Sequence, residues 1–127
     1  MKRIWFYLAF AFLLVLAVGF GNIWMLNYGT DELNAYLDPL EAAIHDEDWT
    51  KAGQLYQQVD QCWRHWRSLW QITIDHKETE NIETAFAGLE AGIVLNDRNS
   101  AITALYTFRH NVEHIPYVEK LSWQNIL

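Results

Sequence analysis

The sequence has one cysteine and little positive charge, and each scarcity removes a class of protein. The lone thiol, Cys62, excludes an intramolecular disulfide and a cysteine-based zinc site. Within a helical stretch it reads as a small buried hydrophobe, with pairing of two chains as the alternative. Nine basic residues face sixteen acidic ones, and two of the nine, Lys2 and Arg3, stand at the very start. The remainder is therefore near −9, a charge that repels phosphate backbones and argues against nucleic acid as a partner. There is no glycine-rich phosphate loop, no low-complexity segment and no internal repeat beyond helical periodicity. Ser68, Ser100 and Ser122 lack the surroundings of a nucleophile, so no catalytic residue is assigned and no cofactor is called for.

Charge is missing altogether from Ile4 to Leu26, IWFYLAFAFLLVLAVGFGNIWML. As a helix these residues would reach roughly 34 Å, enough to cross a hydrocarbon core about 30 Å thick. Trp5 and Tyr7 near one end, and Trp24 and Tyr28 near the other, suit the two membrane interfaces. The expectation is a transmembrane anchor held in a lipid bilayer through residues 4–26. Lys2 and Arg3 before it, with Asp31 and Glu32 after it, place the N-terminus in the cytoplasm and the rest outside. The rival is a cleaved signal peptide with Ala17-Val18-Gly19 as its small-residue site, although Phe20 to Leu26 prolong the apolar run beyond it.

From residue 30 onward the pattern is helical, which predicts an all-α chain. It divides into residues 1–29, a cytoplasmic stub and anchor, and residues 30–127, an extracytoplasmic antiparallel bundle of about four helices with a short tail. Thr30 is a candidate cap for a first helix carrying Leu33, Leu37, Leu40 and Ile44 on one face. Pro39 either kinks this helix or restarts it behind Asp38. Asp48 caps a second helix, where Ala52, Tyr56, Val59, Trp63, Trp66, Trp70 and Thr73 alternate spacings of four and three. Asp75 and Glu78 form a candidate capping box ahead of a third helix bearing Ile82, Phe86, Leu89 and Ile93. Were the junction from Thr73 to Glu78 helical instead, residues 49 to 95 would make one rod of roughly 70 Å. After the turn at Asn96-Asp97, a fourth helix carries Ala101, Leu105, Phe108, Val112 and Ile115 and is expected to end at Pro116.

Two groups are candidates for chemistry. His110 and His114 share a helix face at a spacing that suits metal ligands. The string His110-Asn111-Val112-Glu113-His114 has the order of one zinc-protease motif, but only thirteen residues follow to supply a third ligand. If the last two helices pair about Asn96, facing residues have numbers adding to about 192. His76 and Glu80 then lie beside His114 and His110, at the membrane-proximal end. His76, Glu80, His110 and His114 are thus the candidate metal set, weighed against plain capping and interhelical hydrogen bonds. In the second group, Trp63, Trp66 and Trp70 share one face while Arg64, His65 and Arg67 occupy the other. With Trp123 these are the candidate interaction residues, for anionic lipid, a cell-wall polymer or a partner helix. The alternative is a bundle core with a solvated basic flank that pairs with the acidic residues Glu78, Glu80 and Glu83 of the third helix.

Trp70-Gln71-Ile72-Thr73-Ile74-Asp75-His76-Lys77-Glu78, Asn81-Ile82, His114-Ile115 and Leu121-Ser122-Trp123-Gln124-Asn125-Ile126-Leu127 follow a familiar order. Through them the chain resembles a family of small uncharacterised proteins of spore-forming Gram-positive bacteria, with an N-terminal membrane segment and a helical remainder. The resemblance implies a bacterial cell membrane and interest in His76, Glu78, Ile82, His114 and Asn125. It carries no activity or cofactor. The function expected is that of a bitopic protein binding another protein or a second copy of itself. The alternative is a sensor or a ligand- or metal-binding bundle that uses the Trp and His cluster.

Overall fold

A computed structural model describes the backbone of residues 1–72 and 74–126 and the side chains of residues 1–72 and 74–115. The described residues form four helices and no strand: α1 (Lys2–His45), α2 (Trp49–Trp70), α3 (His76–Val94) and α4 (Arg98–Ile126). One long apolar N-terminal helix leads directly into a helical bundle.

The apolar stretch and the first bundle helix are a single helix. Thr30, a candidate cap by sequence, lies inside α1, and its buried hydroxyl donates to the Leu26 carbonyl at 2.9 Å. That back-bond gives the hydroxyl a partner without ending the helix. Pro39 also sits within α1, on an exposed face where its missing N–H and bulky ring are tolerated. The helix neither stops nor restarts there. Likewise α4 runs through Pro116 to Ile126, so the expected end at Pro116 is not where this helix stops. Thr73, the last member of the α2 seam, lies outside the described residues.

Two turns close with the same geometry. At the end of α1, Glu47 donates to the Ile44 carbonyl and Asp48 to that of Ala43, with Glu47 left-handed at φ 54°. At the end of α3, Asn96 donates to Ile93 and Asp97 to Gly92, with Asn96 at φ 52°. Both are Schellman motifs. The next residue then caps the following helix: Asp48 accepts from the Lys51 amide, and Asp97 from the amide and hydroxyl of Ser100. The Ser100 hydroxyl, then its amide, hold the Asp97 carboxyl below its ordinary value. Between α2 and α3 the helix breaks after Trp70, and Asp75 accepts from the Lys77 amide to start α3. The long-rod alternative is therefore not adopted.

The matching turns belong to a duplication that the sequence reading missed. Thr30 and Thr79 stand 49 positions apart, and the same offset pairs Leu40-Glu41-Ala42-Ala43-Ile44 with Leu89-Glu90-Ala91-Gly92-Ile93, Asp48 with Asp97, and Ala52 with Ala101. Buried positions repeat with it: Leu33 with Ile82, Leu37 with Phe86, Tyr56 with Leu105, Val59 with Phe108, Trp63 with Val112 and Trp66 with Ile115. The bundle is two helical hairpins of one design.

The helices pack as a ring, α1 against α2 and α4, α3 most closely against α4, and α2 against α3 least. A Cβ on Gly92 would lie 2.7 Å from the Ala101 backbone, so α3 and α4 cross where only hydrogen fits. Gly88 faces Ala104, and Asn111 donates to the Asn81 carbonyl at 3.5 Å, so facing numbers add to 192 or 193, as expected. Arg109 ties α4 to α1, with Nη2 3.0 Å from Asp38 and 3.3 Å from Glu41.

Candidate functional site

The loosest seam of the ring holds a groove of about 550 Å³ between the end of α2 and the start of α3. Arg67 and Gln71 line it from α2, Ile74 from the turn, and His76, Thr79, Glu80 and Glu83 from α3. Spacings of three and four put the four α3 residues on one face. Three of these residues were candidates by sequence, Arg67 for interaction and His76 and Glu80 for metal. Gln71, Thr79 and Glu83 were not assigned to a site. The α3 face that Thr79 and Glu83 share with His76 and Glu80 was readable, but only the open α2–α3 seam shows that it borders empty space.

The groove has mixed charge. Arg67 Nε lies 2.8 Å from Glu83 Oε1, a half-exposed ion pair whose N–H is not aimed along the contact. At that exposure water screens the attraction, so the pair orients side chains more than it stabilises the fold. Guanidinium donors, an imidazole and two carboxylates can together hold a polar or zwitterionic group. Among the described residues no three His, Cys, Asp or Glu side chains lie close enough to hold a metal ion. His110 and His114 stack on α4 with ring centroids 6.1 Å apart, both exposed, while His76 and Glu80 line the groove.

Trp63, Trp66 and Trp70 are all buried. Trp63 meets Trp70 and Phe108 edge-on at 6.0 and 5.9 Å, and Trp70 fills the space left by the absent side chain of Gly29. These rings build the core, with Arg64 outside it and paired to Asp60 on its own helix. Trp123 lies outside the residues with described side chains. Trp66 donates through Nε1 to Glu32 at 3.0 Å. Burial first, then the negative charge of Glu32, push the neighbouring Cys62 thiol up to about 12. A buried, protonated thiol is a poor nucleophile and a poor metal ligand.

The chain belongs to the family described as a domain of unknown function, DUF4363, whose model matches residues 20–126. That span takes in the end of the apolar stretch and all of the bundle. No curated protein and no solved structure matches the chain.

Proposed function

We propose that this DUF4363 chain is a single-pass bacterial membrane protein whose bundle stands outside the cytoplasm and acts as an interaction module, with the α2–α3 groove as its contact surface. The observation that carries this is the division of α1 into two chemically different halves. From Leu26 onward its leucines are core residues, whereas before that most of its large apolar side chains are exposed. The most hydrophobic window of α1, with mean hydropathy 2.3, is 6% buried. A core helix of that composition would be covered by its own fold. An uncovered apolar cylinder in water is an aggregation site, and lipid is the solvent that suits it. Orientation follows from Lys2 and Arg3.

The test uses the full chain in bacterial cells, in a Cys62→Ala background. Leu95→Cys at the far tip of the bundle should react with a membrane-impermeant maleimide in intact cells, and Lys2→Cys only after lysis. The protein should remain with membranes at alkaline pH, at the mass of the uncleaved chain. Recovery as a soluble protein trimmed near Gly19 refutes the anchor.

A second reading, a sensor for a small polar ligand, is favoured by the volume and mixed charge of the same groove. Binding to the folded state must raise the melting temperature. A library of zwitterionic metabolites that shifts wild type but not Arg67→Ala would support it.

A further inference from the structure

We infer that the turn between α2 and α3 is a second point of contact with the lipid surface, touching it through Ile72 while α1 crosses it. The inference rests on the anchor reading above and adds to it a role for a part of the bundle outside the span. Register supplies the first support. Trp66 bonds Glu32 and meets Tyr28, and both Trp66 and Trp70 lie on Gly29, so facing residues of α1 and α2 have numbers adding to between 94 and 99. Ile72 is therefore level with residues 22–27, at the end of the apolar run. A bilayer about 30 Å thick in its hydrocarbon, and about 40–45 Å with headgroups, leaves an interfacial layer of roughly 5–7 Å on each side. A 34 Å anchor ends inside that layer, and the turn is at the same height.

Exposure supplies the second. Ile72 is 85% exposed, the most uncovered large apolar side chain among the described residues after Met1. Leu69, one turn back on α2, is also exposed. On α1, exposed Trp24 and Tyr28 stack at 5.5 Å, and Tyr28 meets Trp66 edge-on at 5.7 Å. Aliphatic and amphipathic aromatic side chains thus share one level, with Gln71 and Asp75 as polar flanks suited to headgroups. Because Gln71 and Ile74 also line the groove, this contact holds its mouth against the headgroup layer.

The test attaches an environment-sensitive fluorophore to single cysteines in the full chain, again with Cys62→Ala. Sites are Leu14→Cys, Ile72→Cys and Leu95→Cys, the last 74% exposed at the opposite end of the bundle. Vesicles of phosphatidylcholine and phosphatidylglycerol carry spin labels either deep or just below the headgroups. The label at residue 72 should be quenched by the shallow spin label several-fold more than the label at residue 95, and the label at residue 14 by the deep one. Quenching at 14 with equal, weak quenching at 72 and 95 overturns the inference and leaves the anchor standing. Absence of quenching at 14 overturns both.

Discussion

Replacing Gly92 by alanine should destabilise the bundle, although alanine is the better helix former. In an open helix interior that exchange gains about 1 kcal/mol. At Gly92 the new methyl would sit 2.7 Å from both N and Cα of Ala101, and 2.9 Å from its Cβ. Those are backbone atoms at the start of a capped helix, so no rotamer change relieves the contact and two helices must separate. Overpacking costs typically about 1–3 kcal/mol, and a backbone neighbour puts this case near the top. The net loss is about 1–2 kcal/mol, or roughly 4–16 °C of melting temperature for a domain near 100 residues. The measurement is a thermal melt of the full chain in detergent, followed by circular dichroism. Gly53→Ala is the control, since nothing lies within 4 Å of its added carbon, and it should melt at or above wild type. If Gly92→Ala also melts at or above wild type, the close crossing of α3 and α4 is wrong.

Burial raises both the Cys62 thiol and the Tyr56 hydroxyl, so the folded chain holds these protons more tightly than the unfolded one. Stability should be intact below the ordinary thiol value of 9.0 and fall as pH rises through about 12. Denaturant titrations across that range should show a shallower fall in Cys62→Ala. Removing the charge with Glu32→Ala should strand the buried Trp66 N–H at a cost of about 1–3 kcal/mol. It should also speed alkylation of Cys62, and an unchanged rate would contradict the coupling. Asp48→Ala removes the carboxylate that accepts from Lys51 and should cost about 0.5–2 kcal/mol, read as a lower denaturation midpoint with unchanged slope.

The helical seams, the caps at Asp48 and Asp75, and the register of the second hairpin were legible because each rests on local spacing or on a short turn. The ends of α1 and α4 were not. Thr30 suits a cap and an internal back-bond equally, and the choice depends on what covers it. A proline can end a helix or sit inside one at the cost of one hydrogen bond and a kink, and local spacing does not choose between these outcomes. The duplication was visible in LEAAI and LEAGI but was obscured by its second half, where Tyr56, Val59, Trp63 and Trp66 answer to Leu105, Phe108, Val112 and Ile115. Burial is shared there and identity is not. The candidate groove was illegible for a related reason. The sequence shows which residues share a face, but the gap beside them comes from α2 and α3 standing apart while their counterparts α4 and α1 close.

The unbroken course of α1 has a mechanical consequence. A flexible tether would let a displayed domain swivel and sample many heights. Here the same helix that enters the bundle at Leu26 also lines its interior as far as Ile44, with no break where it enters. Any lean or twist imposed on the first two dozen residues turns the whole bundle with them. Conversely, a load applied at the far tip would be felt as torque at Lys2.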